Sequence, residues 1–226
     1  MRYILALLCL FCFAFCNAEI KVFYADGSKD SKKVALTFDD GPGKATERIL
    51  EILKEKDVKA TFFMLGRRAA ENPAAAKKAA QEGHEIASHT YDHFNFYKYT
   101  EEDKNEKIES ELLKSEKAIK KATGVKPYLV RYPYGYARQD AQDTAKKHKY
   151  FVINWSFGCD WDLKLTEEEM YEKYAGAIKS GAIFIMHDSS TKAVNILAGF
   201  IDKIKAEGYE IVTVSELLEL QVKYKK

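Results

Sequence analysis

Along the chain, short apolar runs alternate with longer amphipathic stretches, and the alternation recurs about seven times. The apolar runs read as strands at Val34 to Phe38, Ala60 to Leu65, Glu85 to Ser88, Tyr128 to Arg131, Tyr150 to Trp155, Ala182 to Met186 and Tyr209 to Val214. Between them, apolar positions at helical spacing predict helices near residues 44–56, 73–82, 101–122, 138–148, 166–179 and 192–207, with a last one from about 215. Gly83, Gly124, Gly181 and Gly208 each follow a helical stretch, where a left-handed cap is expected. Repeated strand–helix alternation implies an α/β fold, with helices outside a parallel sheet that is either open and doubly wound or closed into a barrel. The polar residues decide between these. Asp39-Asp40, the His89 region, Arg131 to Tyr134, Asp160-Trp161 and His187-Asp188 each fall just after the C-terminal end of a different strand. In a (β/α) barrel those ends share one face, where active sites form, so a barrel is expected.

The N-terminus breaks the pattern. Met1-Arg2 is a short positive start, Tyr3 to Phe15 is almost unbroken apolar sequence, and Cys16-Asn17-Ala18 resembles a cleavage site with the cut after Ala18. The run is shorter than the roughly 20 apolar residues of a membrane span, so a cleaved signal peptide is expected rather than a retained membrane anchor. Phe15 stands where a lipoprotein signal needs a small residue, so lipidation of Cys16 is not expected. Residues 1–18 therefore read as a leader, 19–31 as an N-terminal extension and 32–226 as one domain, exported to the periplasm or secreted and expected to be a monomer. Cleavage would leave Cys159 as the sole cysteine, unable to form an internal disulfide and expected as a small buried side chain. The 36 basic and 34 acidic residues give a net charge of +2, and the lysine-rich helices carry interleaved glutamates. That balance speaks against a nucleic-acid partner.

Four segments carry candidate chemistry. His89-Thr90-Tyr91-Asp92-His93 holds two histidines four apart, which can present both imidazoles on one side of a helical turn. Surface histidines also occur at that spacing, but Asp40 can supply a third, oxygen ligand. A His-His-Asp set leaves positions open for water and substrate, as in a catalytic zinc-type site. In Thr37-Phe38-Asp39-Asp40-Gly41-Pro42 the two acids could serve only as turn and cap residues. The functional reading has Asp40 bind the metal and Asp39 act as the base toward water that the metal has acidified. Arg131-Tyr132-Pro133-Tyr134-Gly135 could be no more than a rigid turn. Alternatively, Arg131 pairs with Asp39 to keep it ionised and oriented, and the backbone N–H of Tyr134 donates to a developing oxyanion. His187, closing an apolar strand, is either a core histidine or a general acid, with Asp160 as the carboxylate that keeps it charged.

Together these segments resemble the polysaccharide deacetylases, the NodB-homology carbohydrate esterases, over roughly residues 32 to 220. Thr37 to Pro42 is similar to the family's first motif, His89 to His93 to its second, Arg131 to Tyr134 to its third and Ile185-Met186-His187 to its fifth. The fourth motif departs from the usual Asp-x-x-Asp-Trp. Asp160-Trp161 match its end, but the leading aspartate is missing from Trp155-Ser156-Phe157-Gly158-Cys159-Asp160-Trp161, a loop that looks one residue short. The resemblance implies a distorted seven-stranded barrel, a metal held by Asp40, His89 and His93, and Ile185 lining an acetyl pocket. Two imidazoles favour zinc, with cobalt, nickel or manganese as substitutes. Pro133, Tyr132, Tyr136 and Trp161 are assigned to substrate contacts, since aromatic rings stack well on sugars. The expected activity is removal of N-acetyl groups from an exported glycan, with peptidoglycan ahead of chitin-like oligomers. A glycan-binding pseudoenzyme, an acetyl-xylan esterase and a hydrolase of cyclic ureides are the alternatives.

Overall fold

Strict alternation along β2 (Lys33–Asp39) separates two environments. Val34, Leu36 and Phe38 join the larger apolar cluster beneath the outer helices, whereas Ala35 joins a second cluster that fills the space enclosed by the strands. This computed structural model describes residues 21–100 and 102–220, so the leader expected over residues 1–18 lies outside the described residues. The other strands are β1 (Phe23–Tyr24), β3 (Thr61–Met64), β4 (Glu85–Ser88), β5 (Leu129–Val130), β6 (Phe151–Ile153), β7 (Ile183–His187) and β8 (Glu210–Val212). All pair in parallel in the order β1-β6-β5-β4-β3-β2-β7, with β8 also on β2. Ala35 is in register with both Ile183 and Val212, so β7 and β8 occupy opposite edges of β2.

The sheet curls until its ends meet. After β6 the chain runs on to Phe157, which bridges Phe184 of β7 and accepts a hydrogen bond from Ile185 N–H at 2.9 Å. At the opposite end of β7, Gly27 N–H donates to Gly181 O at 2.8 Å. The result is a distorted (β/α) barrel. Helices α1 (Thr46–Glu55), α2 (Gly66–Glu71), α3 (Pro73–Gln81), α4 (Lys104–Thr123), α5 (Gln139–Lys147), α6 (Glu167–Gly176), α7 (Thr191–Ala206) and α8 (Val214–Leu217) follow the strands. Among the described residues, no helix is long and apolar enough to cross a membrane.

Two differences from the sequence reading matter. The segment read as an extension contributes β1, which pairs Phe23 with Val152 and Tyr24 with Ile153. A strand of two residues is too short to show a period. Helix α2 was not expected, because its six residues offer less than two turns of pattern. The loop from Phe157 to Asp160 packs tightly on β7: a Cβ on Gly158 would lie 2.2 Å from Ile185 Cγ2, so only glycine fits there. Cys159 is free and half-buried, and burial pushes its thiol up to about 11, as suits a packing residue.

Candidate active site

The inward positions of adjacent strands change character together from one end of the barrel to the other. Along the β2–β7 pair the register runs Ala35 with Ile183, then Thr37 with Ile185, then Asp39 with His187. The last pair places a carboxylate and an imidazole side by side at the C-terminal rim. Asp40, one residue on, turns away with φ of 74°. That left-handed backbone is costly for an aspartate and is held by hydrogen bonds around it. Leu65 N–H donates to Gly41 O at 2.9 Å and Asp188 N–H to Asp39 O at 3.2 Å.

The segment after β4 is held from two sides. Gly66 and Arg67, at the start of α2, donate their N–H groups to the carbonyls of Thr90 (2.9 Å) and Tyr91 (3.1 Å). Buried Glu111 of α4 accepts from Tyr91 N–H (3.2 Å) and Asp92 N–H (2.9 Å) through one oxygen. Thr90 and His93 both have positive φ, 66° and 59°, and these bonds fix them. His89 and His93 consequently face Asp40, with Nε2 at 3.6 and 3.4 Å from its Oδ1. His89 Nδ1 lies 2.6 Å from Arg131 O. A carbonyl only accepts, so Nδ1 carries the proton and the lone pair of Nε2 points at Asp40.

These three residues fit a metal ion. Their ligand atoms lie within 4.8 Å of one another. Asp40 Oδ1 is buried without a hydrogen-bond partner, a costly state for a carboxylate oxygen unless a cation completes it. Burial pushes His89 down to about 3, keeping it the neutral imidazole a metal requires.

Arg131 crosses the barrel interior, fully buried. Its guanidinium donates to Asp39 Oδ1 (2.6 Å), Thr37 Oγ1 (2.7 Å), Ile153 O (3.1 Å) and Asn154 O (2.9 Å), and lies 4.1 Å from the Phe63 ring centroid. The expected pairing with Asp39 is therefore present, and it orients the carboxylate. It does not lower the acid, however: burial raises Asp39 above the usual carboxylate range, against the pull of Arg131. His187 behaves in the opposite way. Burial disfavours its charge, but the hydrogen bond and charge of Asp160 together with the charges of Asp39 and Asp40 outweigh burial and carry it up to about 9. Asp160 accepts from His187 twice, at Nδ1 (2.9 Å) and at the backbone N–H (2.7 Å). The missing leading acid of the fourth motif is Phe157, whose ring packs edge-on against Tyr174 in the core, and this leaves the Asp160–His187 pair intact.

Asp39, Asp40, His89, His93, Ile185 and His187 line one cavity of about 400 Å³. Tyr134, Trp161 and Trp155 form its aromatic walls, and Arg131 and Asp160 stand behind it. Tyr134 and Trp161 are about half exposed, edge-on to His93 and His187 respectively. The other three substrate contacts expected from sequence are not on the cavity. Tyr132, Pro133 and Tyr136 are buried; Tyr132 and Tyr136 pack around Phe96, with their hydroxyls bonded to Ala141 O and Asp140. The left-handed backbone at Tyr134, with φ of 60°, turns that ring to the cavity while Tyr132, Pro133 and Tyr136 stay inside. Trp155, Glu111 and Asp188 were missed. For Glu111 a signal existed: an acid inside the buried stripe Ile108, Leu112, Ser115, Ile119 of α4.

The family model for polysaccharide deacetylase matches residues 26–153. The chain belongs to the polysaccharide deacetylase family. It is 36% identical over 196 residues to a peptidoglycan-N-acetylglucosamine deacetylase of Bacillus cereus, covering 84% of this chain and 89% of that one. It is 35% identical over 202 residues to the peptidoglycan-N-acetylglucosamine deacetylase PgdA of Listeria monocytogenes, covering 88% of this chain but only 42% of the Listeria protein's length. In three dimensions it resembles the crystal structure of the Bc1960 peptidoglycan N-acetylglucosamine deacetylase, with a TM-score of 0.82 and 29% identity over 88% of this chain and 94% of that chain.

Proposed function

We propose that this family member is an exported, metal-dependent hydrolase that removes N-acetyl groups from peptidoglycan. The observation that carries this is the rim pair: Asp39 and His187 are register partners on adjacent strands, flanking the Asp40–His89–His93 group. One carboxylate and one imidazole, with environments that push them in different ways, suit a base and an acid on either side of a scissile amide. The two relatives named above, both peptidoglycan-N-acetylglucosamine deacetylases, support the glycan chosen. The apolar leader motivates export.

Asp40, His89 and His93 would hold a divalent ion, zinc best matching two imidazoles and a carboxylate, with cobalt, nickel or manganese as substitutes. When bound, such an ion supplies Lewis-acid polarisation of the acetamide carbonyl and a lower pKa for the attacking water. Asp39, steered by Arg131, takes the proton from that water; its raised pKa brings it nearer the working pH of a base. Tyr134 N–H donates to the carbonyl oxygen as charge develops there. His187 is charged at neutral pH with Nδ1 engaged by Asp160, so its Nε2–H remains for the leaving nitrogen. Ile185 meets the acetyl methyl, and Trp161 and Tyr134 flank the sugar. A complete base and acid set favours turnover over a binding role alone.

Acetate release from peptidoglycan, from N-acetylglucosamine oligomers and from acetyl-xylan, before and after chelation and with zinc or cobalt restored, tests this reading. Metal-restored release is expected to be greater from the N-acetylated glycans than from acetyl-xylan. Metal retention without release from any glycan would overturn it.

A further inference from the structure

Beside the reaction cavity lies a second one of about 430 Å³, walled by the turns that follow Asp40 and His187 and by α2. Pro42, Gly43, Lys44 and Ser189 come from the two turns, and Arg68 from α2. The loops that carry the metal carboxylate and the acid therefore each run from the reaction cavity into a wall of this one.

The contrast between two consecutive arginines defines its chemistry. Arg67 is held by Asp92 at 2.7 Å and Glu71 at 3.1 Å. The side chain of half-buried Arg68 makes no hydrogen bond or ion pair among the described residues, and neither does that of Lys44. The Arg68 guanidinium reaches the turn at Gly43, where an added Cβ would lie 3.5 Å from its Nη1. Two acids stand near the pair without forming an ion pair with it. Glu71, which also lines the cavity, is engaged by Arg67, and buried Asp188 accepts from Thr46 Oγ1 and Gly43 N–H through one oxygen, leaves Oδ1 without a hydrogen-bond partner and feels the charge of Arg68 at longer range. Two cations without a bound acid, in a concave site, are matched by an anion, and a guanidinium fits a carboxylate in two-point fashion.

We propose that this cavity is a carboxylate subsite, so the preferred substrate carries an acid on the sugar next to the one deacetylated. This rests on the deacetylase reading and narrows it to carboxylate-bearing N-acetylglycans over neutral ones. In peptidoglycan the acid has two sources: carboxylates of the stem peptides, or the lactyl carboxylate of the muramic sugar, which is free once the peptide is removed.

The test measures acetate release by the full, metal-supplied chain on three substrates: a neutral N-acetylglucosamine tetramer, glycan strands stripped of peptide, and strands with peptide. The readout is the ratio of kcat/KM on acid-bearing strands to that on the tetramer, which cancels any loss of folded enzyme. Lys44→Gln with Arg68→Gln lowers this ratio about tenfold through KM, as expected for losing one charge-assisted contact. Arg68→Lys restores part of it, and raising the salt erodes the wild-type preference but not that of the double variant. A fall only with peptide-bearing strands assigns the acid to the peptide, and a fall with stripped strands assigns it to the lactyl group. A ratio unchanged in the double variant overturns the subsite while the deacetylase stands. No acetate from any substrate overturns both.

Discussion

His84 and His89 stand at opposite ends of β4, both buried, yet they are chemically unlike. Burial is the largest influence on each and pushes both imidazoles down, to about 4 for His84 and about 3 for His89. At the N-terminal end, His84 Nδ1 accepts Ala60 N–H at 3.3 Å and its ring packs edge-on to Phe62. Next to it, Glu85 accepts from Thr61 Oγ1 and Ser215 N–H. That end ties its polar groups to one another. At the C-terminal end, His89 Nε2 faces Asp40 and Asp39 at 3.6 and 3.8 Å, too far for hydrogen bonds. Burial therefore does not mark function. What marks it is a neutral buried ring whose free lone pair converges with carboxylates left incomplete.

The sharpest way to break this comparison is to remove the lone pair at each end. His89→Ala should abolish both metal retention and acetate release, measured by metal analysis after gel filtration and by turnover. His84→Ala should leave both in place at neutral pH. An active, metal-free His89 variant would dissolve the distinction.

A smaller effect is expected at the acid. Without the Asp160 carboxylate, burial is opposed only by the charges of Asp39 and Asp40, and the pKa of His187 falls from about 9. A general acid works while protonated, so the alkaline limb of kcat against pH, expected near 9 in the wild type, should move to lower pH in Asp160→Asn. At pH 8 the rate should drop about a hundredfold, in the range for loss of one proton-transfer group. A limb that stays near 9 would assign it to a group other than His187.

Smaller again is the effect of Glu111→Gln. The amide oxygen can still accept from Tyr91 and Asp92, but without the charge that strengthens those bonds. Metal affinity should weaken about tenfold, the low end for groups that orient ligands, while the kcat of the metal-saturated enzyme changes less. Competition with a chelator measures the first and turnover in excess metal the second. Equal losses in both would place Glu111 in the chemistry rather than behind it.

The barrel was largely readable from the chain because each strand is an apolar run closed by a polar group. Glu85–Ser88 was placed to the residue, and Gly83, Gly124 and Gly208 take positive φ where helices end, whereas Gly181 does so in the turn before β7, past the end of α6 at Gly176. The residues that meet at the rim were readable for the same reason, since register converts "last on the strand" into "same layer". Contacts made through the backbone were not. Nothing in Gly66-Arg67 announces that their N–H groups hold the carbonyls of the histidine loop. Nor does composition separate Tyr134, facing the cavity, from Tyr132 and Tyr136, facing the core. That distinction depends on the left-handed turn at Tyr134, with φ of 60°.

The smallest predicted effect on activity is at His84, which touches stability alone. Its folded pKa lies near 4 against 6.5 for the free side chain. Between those values the unfolded chain binds a proton that the folded chain refuses, so stability falls as pH falls through this window. A difference of this size corresponds to about 3 kcal/mol by pH 4. Other buried groups titrate there too, and Asp188, raised to about 6, acts with the opposite sign, gaining stability as it protonates. The total slope therefore does not isolate His84, whereas the difference between wild type and His84→Gln does, because glutamine keeps an acceptor for Ala60 N–H without titrating. Urea unfolding should show the variant gaining on the wild type steadily from pH 6.5 to 4, with acetate release at pH 7 unaltered. A constant difference across that range would mean His84 takes up its proton without unfolding the barrel, and the closed end of β4 would then be as open to water as the end that faces the substrate.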